Sequence, residues 1–327
     1  MISRRGTLGG AALAAAGTVL GTAPASAAQP AADAQAPGFY RYRVGDFQVT
    51  AVTDGVNVIP IPEGFVANVA KAEVGAALAA AHLEPERIAI PFTPVVVNTG
   101  SRLVVIDTGN GEANLAATKG ASGQFHRNLA AAGIRAADVD TVVISHFHGD
   151  HVNGLLDPTG KAAFPNAEIL VPRVEWAYWM DDGEMSRAPK GRIEGVFRNA
   201  RRVFDALGRK VTPYEWDREV VPGITATGTP GHTPGHTSYV VSSGSSQVFV
   251  QSDLTNVPVL FARNPGWHLV FDQDAAMAEA TRRRVYDRLA ADRTMVQGFH
   301  YPFPALATLE RAGNGYREVP RPWMPVL

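Results

Sequence analysis

Four side chains able to hold a metal, His146, His148, Asp150 and His151, fall within six residues of the segment TVVISHFHGDHVNG, residues 141–154. In extended chain, residues two apart point to one side, so His146 and His148 can share a metal. Gly149 permits a sharp turn, after which Asp150 and His151 can aim at a second point. Histidines and a carboxylate this dense otherwise repel one another or lose hydration at a cost, which makes a merely hydrogen-bonded turn a poor account of the pattern.

The elements around the motif must deliver it. Val142, Val143 and Ile144 read as a short buried strand that stops where the ligand types begin, and Asn153, Gly154 and Leu155 read as the opening of a short helix. The same device recurs three times, a β-run ending at His232, at Asp253 and at His300. These positions follow His151 by 81 residues, then by 21 and 47 more, so only a fold can unite them. Sites at the C-terminal ends of strands are the rule in α/β proteins. Seven ligand types suit two metals. No Ser/His/Asp elbow competes, and Gly228-x-x-Gly231 lacks both the spacing and the Lys of a phosphate loop.

Elsewhere the chain alternates strands and helices. Residues 44–52 alternate like one strand, 94–98 and 102–107 form a hairpin, and 168–171, 223–227, 238–241, 247–251 and 294–297 read as strands. Helical periods appear at 70–83, 124–132, 193–204 and 275–289, the last with a basic face at Arg282, Arg283 and Arg284. The prolines of 59–65 exclude a central strand and predict a loop with exposed apolar residues that can act as a lid. Trp176, Tyr178 and Trp179 read either as core or as an aromatic wall for an apolar substrate.

With 327 residues, 46% of them hydrophobic, the chain is long enough for one large core. Arg4-Arg5, a weakly apolar run and Ala25-Ser26-Ala27 predict a twin-arginine signal over 1–27, hence export to the periplasm or medium. The run is too rich in Ala and Gly for a membrane anchor. Residues 28–38 read as a disordered linker. Beyond the leader, 28 basic residues face 31 acidic ones, which argues against a nucleic-acid partner. There is no Cys, so His and carboxylates must supply any metal ligands.

HxHxDH, TPGHT at 229–233, Asp253 and His300, in this order, resemble the metallo-β-lactamase superfamily over most of the chain from Tyr40 onward. The resemblance implies an α/β fold, an αββα sandwich of two mixed β-sheets flanked by helices, over residues 39–327. It implies that His146, His148 and His232 hold one metal and Asp150, His151 and His300 a second, with Asp253 between them. The implied cofactor is two divalent ions, zinc first, with manganese, cobalt or iron as alternatives. Such a pair can share a hydroxide that attacks a carbonyl carbon or phosphorus, with Asp150 and Asp253 as catalytic carboxylates. Asp107 resembles the family's outer carboxylate, and His236 is expected behind the ligands or in the turn.

The leader, Asp253-Leu254-Thr255 and the tail from His300 to Leu306 are similar to the branch containing methyl parathion hydrolase and related lactonases. That implies a small neutral apolar substrate, a lactone, an ester or a phosphotriester, with Phe65, Phe125, Trp176, Trp179 and Phe197 as candidate pocket residues. Acyl-homoserine lactonases typically carry Tyr three residues after the bridging Asp, where this chain has Asn256. A glyoxalase II would need a helical domain where only 27 residues follow His300. A tRNA-processing nuclease would want a basic arm, a β-lactamase usually lacks the bridging Asp, and a metal-binding non-enzyme would need a broken ligand set. A homodimer is left open.

Overall fold

Two seven-stranded sheets pack face to face. The computed structural model describes residues 35–327; the signal expected over 1–27 and most of the 28–38 linker lie outside them. In spatial order the first sheet is Phe39–Val44, Phe47–Val52, Val95–Asn98, Leu103–Ile106, Thr141–Val143, Glu168–Pro172 and Thr212–Tyr214. It is antiparallel up to Leu103–Ile106 and parallel beyond. The second is Glu219–Val221, Ile224–Gly228, Thr237–Ser243, Ser246–Ser252, Met295–Gly298, Leu306–Ala312 and Gly315–Pro320. Only Ser246–Ser252 with Met295–Gly298 pairs in parallel there.

Strand alternation decides which layer each residue joins. Val104, Ile106 and Val143 point between the sheets and meet Ile224, Tyr239 and Val250, whereas Val105 and Val142 point outward to the helices. Phe125–Ala131, Arg173–Trp179 and Arg192–Ala206 cover that outer face, the last through Phe197, Ala200, Val203 and Phe204 at helical spacing. Ala275–Asp292 covers the second sheet, laying Val285, Tyr286 and Leu289 on Phe249 and Val296. Each such fully buried aliphatic side chain contributes on the order of 2 kcal/mol. The expected αββα sandwich is therefore observed.

Three local readings are corrected. Residues 44–52 are not one strand: Gly45, at φ +57°, turns the chain so that Phe39–Val44 pairs with Phe47–Val52. The proline-bearing 59–65 segment is a loop only from Ile61 on, and its isoleucine and phenylalanine side chains are not exposed. Its start belongs to Gly55–Pro60, which pairs with Arg87–Phe92 as a separate two-stranded ribbon, and Ile61 and Phe65 are buried. A two-stranded ribbon leaves each strand one free edge, where a proline loses no ladder bond. Arg282 does not lie on an exposed basic face but is buried. Among the described residues no helix is long and apolar enough to cross a membrane.

Candidate metal centre

The loops at one edge of the sandwich bring all seven ligand types together. His146 and His148 leave the strand Thr141–Val143, while Asp150 and His151 sit on the short helical turn Gly149–Val152. His232 comes from the loop after Ile224–Gly228, Asp253 directly follows Ser246–Ser252, and His300 follows Met295–Gly298. Two groups result: His146, His148, His232 and Asp253, and Asp150, His151, Asp253 and His300.

Hydrogen bonds fix which nitrogen of each ring faces inward. His151 Nδ1 donates to Asp107 Oδ2 at 2.8 Å, His232 Nδ1 to Asp272 Oδ1 at 2.8 Å, and His300 Nδ1 to the Pro91 carbonyl at 2.7 Å. Ser145 Oγ donates to Asp107 Oδ2 at 2.7 Å, so His146 Nδ1, 3.0 Å away, donates to Ser145 Oγ. Each ring then turns the lone pair of its Nε2 into the cluster. Asp107 thus stands where the resemblance put an outer carboxylate, at φ +60° on the turn.

The inward atoms suit cations. His148 Nδ1 lies 3.1 Å from His146 Nε2 and 2.9 Å from His232 Nε2, so lone pairs converge with nothing between them. The edge of a tetrahedron around zinc with nitrogen ligands is about 3.3 Å, close to these spacings. Asp253 Oδ2 is 3.3 Å from His232 Nε2 and 3.0 Å from His300 Nε2, and its Oδ1 is 3.1 Å from His151 Nε2. The inward atoms His151 Nε2 and Asp253 Oδ1 have no hydrogen-bond partner. Two divalent ions would answer both the converging lone pairs and the carboxylates of Asp150 and Asp253; the donor set fits them.

At His146 and His148 the electrostatics agree with ligand duty. Burial, with the neighbouring imidazoles, holds His146 and His148 well below the usual histidine range, hence neutral. Burial, the largest influence, also opposes charge on His151 and His300, but the carboxylates of Asp253, Asp107 and Asp150 together outweigh it on His151, and those of Asp253 and Asp150 on His300, so both are raised. For Asp150, burial acts upward and is outweighed by His151 and His300, which hold its pKa at about 2.

His236 is not in either group. Its Nδ1 donates to the Thr229 carbonyl at 3.0 Å and its Nε2 accepts from the Asp253 amide at 2.9 Å, so it fixes the backbone that carries Asp253. Burial depresses its pKa to about 3, which keeps that acceptor available.

Three further residues escaped the sequence. Asp272 orients His232 and also meets the Arg282 guanidinium at 3.3 Å. Glu175, fully buried, accepts from Phe147 N at 3.1 Å, Trp179 Nε1 at 2.6 Å, Thr233 Oγ1 at 2.9 Å and Gly235 N at 2.8 Å. It therefore ties the loop of His146 and His148 to the loop of His232. Gly235 is required there, because a Cβ would stand 2.2 Å from Glu175 N.

Above the cluster opens a cavity of about 340 Å³. Ile59, Ile90, Phe92, Val196 and Phe271 make its apolar walls, Asn57, Asn110, Asn153, Asn256 and Arg192 its polar positions, and His148, Asp150, His232, Asp253 and His300 line it. None of the five aromatic residues expected to line it does so. Phe125, Trp179 and Phe197 are fully buried in the core beside the first sheet, and Trp176 packs on Phe147 and Phe204. Phe65 is buried behind the wall against Phe271. Their helical stripe faces the sheet, and the ribbon supplies the wall instead.

Residues 93–289 match the metallo-beta-lactamase superfamily. The chain belongs to that superfamily. An N-acyl homoserine lactonase of Bacillus sp is 32% identical over 114 residues, 35% of this chain and 37% of that protein. AttM of Agrobacterium fabrum, also an N-acyl homoserine lactonase, is 30% identical over 128 residues, 36% of this chain and 42% of its own length. The chain thus spans well under half of the length of these curated relatives. Similarity to solved structures reaches further. AidC, a dizinc quorum-quenching lactonase in complex with the product N-hexanoyl-L-homoserine, superposes with TM-score 0.81 at 25% identity, over 88% of this chain and 98% of its own. The hydrolase AbOPH does so with TM-score 0.81 at 25% identity, over 89% and 100%.

Proposed function

We propose that the chain is a metal-dependent hydrolase that opens lactones, N-acyl homoserine lactones first among them. The observation that carries this reading is the pair of ligand groups sharing Asp253 beneath a cavity with apolar walls. The lactonase relatives and the dizinc lactonase neighbour support the same substrate class. His146, His148, His232 and Asp253 would hold one divalent ion, and Asp150, His151, Asp253 and His300 the other, zinc being the first expectation.

Divalent ions bound there supply Lewis acidity toward water and toward an ester carbonyl oxygen. The chain does the rest. Asp107, Asp272, Ser145 and the Pro91 carbonyl hold four rings in the tautomer that keeps Nε2 unprotonated. Phe92, Ile90, Ile59 and Phe271 desolvate the apolar part of the substrate and exclude water from it. Asp150, ionised and with its side chain 22% exposed, can accept the proton given up by the attacking water and return it to the departing alkoxide oxygen, and Asp253 holds its position through the His236 clamp.

The test is a substrate panel on one zinc-loaded batch: an N-acyl homoserine lactone, a δ-lactone, an aryl ester, a phosphotriester and a cephalosporin. Acid release from the lactones, abolished by chelation and restored by metal, is expected. Turnover of the phosphotriester ahead of every lactone would replace this reading with a phosphotriesterase.

A further inference from the structure

The four asparagines around the cavity are each held by one end of the amide, and the partners decide which end remains. Asp54 is a buried carboxylate and can only accept; Asn110 gives it both the backbone N–H and Nδ2, each at 2.9 Å. Asn110 Oδ1 is left as a free acceptor. Val257 N–H can only donate, and it does so to Asn256 Oδ1 at 2.9 Å, which leaves Asn256 Nδ2 as a free donor. Arg202 likewise donates to Asn153 Oδ1 at 3.1 Å and frees Asn153 Nδ2. Ser122 Oγ donates to Asn57 Oδ1 at 3.0 Å and frees Asn57 Nδ2. For Asn110, Asn153 and Asn256 the fixed polarity of the partners settles the amide orientation.

Among the amides that line the cavity, Asn110 therefore presents an acceptor, whereas Asn153 and Asn256 present donors. We propose that Asn110 and Asn256 are specificity-determining residues that select a neutral lactone bearing a secondary amide: Asn110 Oδ1 accepts the amide N–H, and Asn256 Nδ2 donates to the lactone carbonyl oxygen. Asn256 is placed for that task, three residues after Asp253 and only 3% exposed, on the cavity wall beside the metal centre. Asn110 stays rigid because Asp54 also accepts from Gly123 N at 3.2 Å and Phe125 N at 2.9 Å. A phosphotriester brings acceptors only and would leave Asn110 Oδ1 without a partner. This assignment rests on the lactonase reading and sharpens it to one substrate class.

The experiment uses the zinc-loaded full chain and two substrates of equal length, an α-acylamino-γ-butyrolactone and an α-alkyl-γ-butyrolactone. Wild type should favour the acylamino lactone in kcat/KM by about tenfold, the worth of one neutral hydrogen bond. Asn110→Ala, which keeps the backbone bond to Asp54, should bring that ratio close to one. Asn256→Ala should lower kcat/KM for both substrates alike and leave the ratio at its wild-type value. Melting temperature and zinc content of each variant separate these effects from misfolding. A wild-type ratio near one, or an Asn110→Ala ratio equal to wild type, overturns the proposal. If wild type opens neither lactone, the functional reading fails on its own. Calorimetric binding of the matching γ-lactams then decides the proposal: a tenfold preference for the acylamino lactam, lost in Asn110→Ala, sustains it, and equal affinities end it.

Discussion

Asp272 Oδ1 accepts from His232 Nδ1 at 2.8 Å while its Oδ2 accepts from Arg282 at 3.3 Å. One buried carboxylate thereby couples a ring of the proposed metal centre to a guanidinium that also bonds the Leu254 and Pro265 carbonyls. An amide at 272 keeps the shape and removes the charge that makes the imidazole a better donor of its lone pair. Asp272→Asn should weaken zinc affinity by about 10–100-fold. Competition with a fluorescent chelator measures this, and an affinity within twofold of wild type would contradict the role.

Asp107 acts on the other ligand group. It holds His151 directly and reaches His146 only through Ser145. Asn tolerates the left-handed backbone at this position, so Asp107→Asn is a clean probe. Wild type should bind two equivalents of zinc, and the variant should retain one tightly while the other weakens. Loss of both equivalents together, by elemental analysis after graded dialysis, would show that Asp107 supports the whole cluster evenly.

Glu175 is no metal ligand, yet three donors from two loops and one from its own helix end on it. Burial pushes its pKa up, and those four donors work against that push. Glu175→Ala strands several buried donors and should cost at least about 3 kcal/mol. For a chain of this size that is a fall in Tm of roughly 5 °C. A shift under 2 °C in calorimetry would mean the loops hold each other without it.

Core and wall residues should separate cleanly. Trp179→Ala or Phe197→Ala should lose about 3–5 kcal/mol of stability, because each leaves a large void beside the first sheet. Phe271→Ala should instead raise KM for a long-chain lactone with a small change in Tm, since Phe271 faces the cavity and is capped by Arg192 at 5.6 Å. Comparable KM increases from Trp179→Ala and Phe271→Ala would return the indole to the substrate wall.

What the sequence disclosed is what local spacing can encode. His146, His148, Asp150 and His151 share one loop, and His232, Asp253 and His300 each end a β-run, so patterning and order sufficed. Glu175, Asp272 and Arg282 stayed hidden because each works across chain separations that carry no period. Glu175 sits in an aromatic helix, and Arg282 looks like its neighbours Arg283 and Arg284. The aromatic stripe from Trp176 to Trp179 was ambiguous in principle, since a helix face packed on a sheet and one lining a cleft have the same period. The ribbon that does line the cavity was masked by Pro60 and Pro91, which argue against a strand except where an edge is free.

The shared carboxylate, Asp253, and the last ligand, His300, both come from the second sheet, while the HxHxDH loop comes from the first. A polypeptide still being synthesised can present at most a partial cradle, open on one side, until its later half has been made and has docked. Ion capture would then follow the docking of the two layers, and the bound pair would add a rivet to sheets already joined by their greasy faces and by the Glu175 tie.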